Sequence, residues 1–506
     1  MQEIESNLTL KKDFLIKVAA CAFLLSMYFG SLSNNIADLD LWHQMALIRE
    51  SIHLGYIPLN DQFAYTPTVF PSVQHEWGAG VIAYFLATRF GASGILAVKY
   101  LLASIILAFF FLCIKRRSIS KEIFIFLLPI GIGLILHSFA TTRAQMYSFT
   151  FVACLLWFFE LDRKGERRWL VVWIPLYLIW INLHGGFLVG VGLVGAYWLE
   201  KLLRKEPHTH LILLCVAMVG LIAVNPYGFE YYPYLWHAMT IPRPYIMEWS
   251  PMWKVSDLLL LSLFFMSLIL FIYSVKRIGI REAHGIALVF TTALAAFLCV
   301  RLIFFYAIVW AIYVPGYLQR TRLGNLMEGL CKKLSKFLIP ILCIAAVAFF
   351  ARGLSYQPWK LLVPSDHIKK YGNHPIYPIG PVEYLSGVSF KGNLMVFFDW
   401  GSYVIWKLYP DVRVSMDSRY EAAYPGWLVD ENIKFYWAKD GWQRTLTAYP
   451  TDLVLVHKRL PLAKVMPKQS EWKKVYTDDG FELYARPGLL LPVVDWTGRV
   501  FMGTFP

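Results

Sequence analysis

Apolar runs, many of roughly 18 or more residues, recur through the first 350 positions, and a run of that length crosses a bilayer as helix. The spans expected to cross fall near 14–36, 95–114, 122–140, 146–161, 169–182, 186–199, 211–224, 257–275, 284–299, 302–318 and 337–351, about eleven in all. A further apolar piece at 77–90, short and holding Gly78 and Gly80, reads as re-entrant or interfacial. Parity requires this: if Ile36 lies outside, the basic loop at Lys115 lies inside only when a single crossing separates them. One polar stretch, Ile36 to Trp77, interrupts the pattern. Within it Leu41, Met45, Ile48 and Ile52 recur at helical spacing with polar residues between, which predicts an amphipathic helix lying on the membrane surface. After Arg352 short strand patterns alternate with helical stretches: Leu394–Phe398, a helix over Ser402–Leu408, Val412–Met416, Leu453–Val456, Trp472–Tyr476 and Phe481–Ala485. The chain therefore reads as a polytopic α-helical membrane domain (1–351) with a first outer loop at 37–77, followed by an extracytoplasmic α/β domain (352–506).

Composition agrees. Of 506 residues 57% are hydrophobic and 16% charged, and the mean hydropathy is +0.49. A soluble chain could not hide that much apolar surface. The net charge of +14 suggests nucleic acid only until the basic residues are located. Lys115–Arg117, Arg163–Lys164, Arg167–Arg168, Lys201, Arg204–Lys205, Lys276–Arg277 and Arg320–Lys336 sit in short loops between spans, as cytoplasmic loops do. No nucleic-acid partner is expected. The seven cysteines lie in or beside spans or in a basic loop, so no disulfide framework and no CxxC metal motif is expected. The first apolar segment, flanked by Lys11, Lys12 and Lys17, is too long for a signal peptide and lacks a clear cleavage site. The sequon Asn7-Leu8-Thr9 would face the cytoplasm and is discounted.

With this topology the polar residues at span ends fall on one face. Thr142-Arg143-Ala144-Gln145, Asn182-Leu183-His184-Gly185-Gly186, Asn225-Pro226-Tyr227-Gly228, Met247-Glu248-Trp249 and Arg301 all lie on the side of Asp38 and Asp40. Charges placed among apolar helices are costly unless they face water, protein or ligand. Their convergence predicts one polar cavity on the outer side. Asp40 immediately precedes the amphipathic helix and serves either as its N-cap or as a chemical group, two roles that are compatible because capping uses one oxygen. Asp38, two residues earlier, shares its side if the chain is extended there.

The ordered set Asp38-Leu39-Asp40-Leu41-Trp42-His43, a helix ending at Gly55, Ile57-Pro58, Tyr65-Thr66-Pro67 and His75-Glu76-Trp77 resembles bacterial membrane glycosyltransferases of the GT-C superfamily. The resemblance includes uncharacterised bacterial proteins of this kind and, more distantly, protein O-mannosyltransferases and the lipid A aminoarabinose transferase. The resemblance continues through Asn182–Gly186 to Asp399-Trp400-Gly401 and Asp417-Ser418-Arg419. It implies transfer of a sugar from a polyprenyl-phosphate carrier to a protein, lipid or polysaccharide acceptor at the outer face of a bacterial inner membrane. A general base must then deprotonate the acceptor hydroxyl, and cations must steady the departing phosphate. Asp40 is the first candidate base and Asp38 the second. Arg143 and Arg301 are candidates for the phosphate, unless they snorkel to lipid headgroups. His43, His75, Glu76, Asn182, His184 and Glu248 are candidate substrate contacts. Asp38, Asp40, His43 and Glu76 together could hold a divalent Mg or Mn ion. A transporter or flippase of a lipid-linked glycan is the alternative, although no repeated halves are visible. A catalytically inactive scaffold would make the loop carboxylates dispensable.

Overall fold

Helix dominates because the apolar spans carry no partner for backbone polar groups other than themselves. The structure, a computed structural model, describes residues 2–136, 138–365 and 376–506. The side chains of residues 2–13, with Lys11, Lys12 and the Asn7 sequon, and those of Ser335 and Glu421 lie outside the described residues. In chain order the first part comprises α1 (Gln2–Leu32), β1 (Ile36–Ala37), α2 (Leu39–Leu54), α3 (Trp77–Arg117), α4 (Lys121–Leu134), β2 (Thr141–Thr142) and α5 (Gln145–Asp162). It continues with α6 (Trp169–Leu183), α7 (Phe187–Leu203), α8 (Thr209–Leu221), α9 (Tyr231–Thr240) and α10 (Leu258–Ile278). Last come α11 (Ile286–Leu298), α12 (Ile303–Leu318), α13 (Arg322–Lys333) and α14 (Ser335–Ser355). Every segment expected to cross falls on one of these helices. Among the described residues five are long and apolar enough to do so by length and composition alone. On α14, Phe337, Ile341, Ile344 and Val347 form an exposed stripe at helical spacing, a face suited to lipid.

The segment expected to be re-entrant or interfacial forms the first half of α3. Its 41 residues are broken at Gly91 (φ 58°, ψ −144°), a backbone conformation that only glycine adopts without strain. A side chain on Gly94 would meet the Leu86 carbonyl oxygen at 2.8 Å, so the two halves fold sharply against each other. Ala79, Ala83 and Ala87, one turn apart, are buried, and Gly80 lies against the Gln44 carbonyl of α2. One face of the first half thus packs on α2, while Phe85 and Phe90 on it stay exposed.

The surface-lying role expected of α2 is corrected. Leu41 through Ile48 are all buried, leaving only the last turn open. What covers them is the C-terminal unit: α15 (Ile379–Gly387), β3 (Gly392–Met395), α16 (Phe398–Leu408), β4 (Val412–Val414), α17 (Gly426–Tyr436), α18 (Arg444–Ala448), β5 (Leu453–His457), α19 (Leu462–Val465), β6 (Lys473–Thr477), β7 (Phe481–Ala485) and β8 (Val494–Asp495). Its six strands form one sheet in the order β4-β3-β5-β7-β6-β8. The β4, β3 and β5 pairings are parallel, and β7 joins antiparallel to both β5 and β6. Trp42 of α2 packs edge-on against Tyr377 and Tyr403, with ring centroids 5.7 and 5.1 Å away.

Two more seams bind the halves. β1 pairs in parallel with β2, and Ala37 N–H donates to the Leu362 carbonyl at 2.9 Å. The loop between α2 and α3 covers the β4 edge, where Tyr65 N–H donates to Val414 O and Val414 N–H to Phe63 O, each at 3.1 Å. An edge strand left open would invite pairing with other chains. Beside this seam Arg419 binds Asp61 of the loop and Asp417, all three side chains buried. The end of the bundle with the basic loops also holds carboxylates: Glu160 pairs with Arg117 at 2.6 Å and Glu200 with Arg204 at 3.1 Å.

Gly401 in the first turn of α16 faces the Met416 carbonyl and the backbone of Asp417 so closely that a Cβ would collide with both. Gly401→Ala is expected to destabilise the fold by about 1–3 kcal/mol, read as a lowered thermal midpoint in detergent. Gly387→Ala, with open space around it, serves as the neutral control.

Candidate active site

The start of α2 decides how the two aspartates are used. Asp38 is extended (φ −77°, ψ 150°) and its carboxylate accepts the Asp40 N–H at 3.2 Å, making Asp38 the N-cap. The cap expected at Asp40 is therefore one turn boundary earlier. Asp40 sits within the first helical turn, and its side chain is not committed to capping. His43, three residues on, brings Nε2 to 3.5 Å from Asp40 Oδ1.

Arg143 leads from β2 into α5 and reaches across to this turn. Its Nε lies 3.3 Å from Asp38 Oδ2, its Nη2 3.9 Å from Asp40 Oδ2, and its Nη1 donates to Glu248 Oε2 at 2.9 Å. Arg301, just before α12, donates to the other Glu248 oxygen at 2.5 Å. Both arginines are ion-paired inside the protein, so neither snorkels to headgroups. Trp249 supports the pair: the Arg301 guanidinium lies 5.2 Å from its ring and that of Arg243 3.9 Å. Burial pushes the Asp38 carboxyl up to about 6 against the pull of Arg143. Burial would also raise Glu248, but the charges of Arg301 and Arg143 hold it down at about 2.

Glu76 stands immediately before α3 and anchors the other wall. Gln44 of α2 donates to its Oε2, and the Nε2 atoms of His184 and His75 lie 3.3 and 3.5 Å from Oε1. Burial alone would raise this carboxyl. The hydrogen bond and charge of His75, with the charge of Arg301, take it well below the usual range. His184 Nδ1 accepts the Gly186 N–H at 2.9 Å and faces Ser148 Oγ at 2.7 Å, so its proton sits on Nε2, toward Glu76. Burial lowers its pKa to about 3, which keeps the ring neutral. His75 stacks on Tyr234, whose hydroxyl is 2.7 Å from Nδ1.

These walls enclose a cavity of about 300 Å³. Of the residues singled out in the sequence, Asp38, Asp40, His43, His75, Glu76, Arg143, Glu248 and Arg301 line it. Two do not. His184 stands behind Glu76 and orients it, and Asn182 is spent on structure, accepting from Trp77 Nε1 at 3.1 Å and donating to the Leu178 and Val224 carbonyls. Gln44, Arg243, Trp249, Asp399, Ser418 and Arg419 also line the cavity. Trp249, beside Glu248, and the tail motifs around Asp399 and Asp417 are the ones the sequence signals; Gln44 and Arg243 carry no such signal. Asp399, which follows the strand pattern Leu394–Phe398, lies in the first turn of α16.

The four residues considered for a divalent ion do not gather. Arg143 lies against Asp38 and Asp40, while Glu76 is held by Gln44 and the two histidines. Among the described residues no group of three or more His, Cys, Asp or Glu side chains could hold a metal ion.

No known protein family matches the chain in sequence, and no curated protein does. Solved structures do match. The chain superposes on ArnT from Cupriavidus metallidurans in the apo state with a TM-score of 0.54 at 12% identity, over 92% of this chain and 97% of that one. It superposes on the arabinofuranosyltransferase AftD from mycobacteria with a TM-score of 0.50 at 13% identity, over 94% of this chain and 40% of that longer one. The chain has the fold these two share, the GT-C fold of membrane glycosyltransferases.

Proposed function

We propose that the protein is a multi-pass membrane glycosyltransferase that moves a sugar from a polyprenyl-phosphate carrier to an acceptor hydroxyl. The observation that carries this reading is the placement of Asp40 beside Arg143 and Arg301 in one cavity of a GT-C fold. A carboxylate free of capping faces the same space as two guanidinium groups, which is what the two ends of such a displacement need.

In the reaction the acceptor oxygen attacks the anomeric carbon and gives its proton to Asp40. The bond from that carbon to the phosphate oxygen breaks, and the carrier phosphate leaves with the bonding electrons. Arg143 and Arg301 receive the growing negative charge. Glu248 holds both guanidiniums toward the cavity, as its two oxygens each bind one of them. Asp38 fixes the first turn of α2 and so the direction of Asp40. His75 and Glu76, on the opposite wall, offer an imidazole and a carboxylate to sugar hydroxyls. No step is routed through a metal ion. On this reading about eleven helices cross a bacterial cytoplasmic membrane, and the cavity with the C-terminal unit lies on its outer side. The alternation of basic loops supports that orientation.

The test uses purified full-length protein, a panel of polyprenyl-phosphate sugars and candidate protein, lipid and polysaccharide acceptors. Asp40→Asn is expected to lower kcat by on the order of 10²–10⁴-fold. Wild-type turnover in that variant would remove Asp40 as the base. Lipid translocation in vesicles without sugar transfer would favour a flippase instead. Arg301→Ala is expected to weaken donor binding by roughly tenfold, measured as donor KM, while Asp40→Asn leaves that constant near its original value. The rate should also fall as pH drops through about 6, where Asp38 takes up a proton and releases Arg143. Asp38→Asn should abolish that acid limb.

A further inference from the structure

Two helices begin at the cavity side by side. Arg49, near the end of α2, donates to the carbonyls of Trp406 at 2.8 Å, Ile405 at 3.2 Å and Tyr409 at 3.4 Å, at the end of α16. Their far ends being together, and Trp42 packing on Tyr403 between them, the helices run parallel. Their first turns therefore meet as well. Asp40 lies in one and Asp399 in the other, and both line the cavity.

The carboxyls of this cavity differ in what they hold. Asp38 and Glu248 bind Arg143, Glu76 accepts from Gln44, and Asp40 is paired with His43 and Arg143. Asp399 makes no hydrogen bond or ion pair among the described residues. A partly buried carboxyl facing a cavity without a partner is costly, and the cost falls when it is neutral or meets a ligand. The charged and titratable groups around it are Asp38, Asp40 and His43 from the start of α2, Tyr377 ahead of α15, Arg419 beyond β4 and Arg143 across the cavity. Arg419 does not neutralise it, being committed to Asp417 and Asp61. Burial, with the Asp40 charge added, pushes Asp399 up to about 7. Two neighbouring carboxyls, one ionised and one neutral, divide acid and base roles between them.

We propose that Asp399 is a second catalytic carboxyl, supplied by the C-terminal unit, which in its neutral form donates a hydrogen bond to the acceptor and holds it against Asp40. The inference rests on the transfer reading above. Asp399 keeps its own proton throughout; the proton released by the acceptor hydroxyl goes to Asp40. The acceptor then carries a second oxygen close to the reacting hydroxyl, as neighbouring hydroxyls on a glycan do.

Two measurements on full-length protein in lipid nanodiscs test this. The first needs no substrate. A carbodiimide, which attacks neutral carboxyls, is applied between about pH 5 and 9, and modification is mapped by mass spectrometry. Asp399 should be modified below about pH 7 and spared above it; an Asp399 unmodified even at the acid end overturns the proposal. The second is transfer. Asp399→Ala should lower kcat by on the order of 10²-fold. Asp399→Asn, which retains a donor, should lose less and should abolish the fall in rate that the wild type shows as pH rises through about 7. Wild-type turnover in Asp399→Ala, or an unchanged alkaline limb in Asp399→Asn, overturns the proposal. If the wild type transfers no sugar from any carrier, the transfer reading fails, and the carbodiimide titration still decides whether Asp399 is a neutral carboxyl facing the cavity.

Discussion

The Arg143 guanidinium is the interaction on which the cavity depends. It touches three carboxylates from two separate segments, Asp38 and Asp40 at the start of α2 and Glu248 in the loop before α10. Burial disfavours its charge, and the three carboxylates together hold it protonated. Removing one member of such a cluster leaves the others buried and unpaired, which costs about 3–5 kcal/mol. The cluster is therefore a structural constraint first: it ties the β2–α5 corner to the start of α2 and fixes the spacing of Asp40 and the guanidiniums. Arg301 adds the second cation only because Glu248 is already fixed from the other side.

A second constraint is the packing of α2 between the first half of α3 and α16. On one side small residues, Ala79, Gly80, Ala83 and Ala87, let backbones approach. On the other side aromatic rings, Tyr377, Tyr403 and Trp406, fill the space. A helix with eight consecutive buried residues cannot tilt to follow a lipid surface. It positions Asp40 with the rigidity of a core element, which suits a group that must meet a substrate oxygen within hydrogen-bond reach.

Much of this was legible in the chain. The spans announce themselves by apolar length, and the outer cavity by charges that would be costly anywhere else, which is why Arg143, Glu248 and Arg301 could be placed with Asp38 and Asp40 from topology alone. Other features were not legible, for identifiable reasons. The apolar face of α2 tells that something covers it, not what; membrane and protein are equally apolar covers, and α16 lies about 350 residues away. Asp38 and Asp40 are equally good capping residues, and only the backbone angles at Asp38 decide between them. Gly91 was one glycine among 33, with nothing in its neighbours to mark a break. Asn182 and His184 stood in a polar cluster of the right kind, but a cluster at a span end has a back as well as a front.

The shared core of α2 and α16 also has a temporal side. A chain grows from its N-terminus at about 5–20 residues per second, so roughly tens of seconds separate the emergence of these two helices. During that interval Leu41, Trp42 and Met45 have no final cover, and Asp61 waits for Arg419. The membrane helices between them are threaded first. The site is thus closed by a segment made long after α2, and a protein cut short before α16 would sit in the membrane with the wall of its cavity missing.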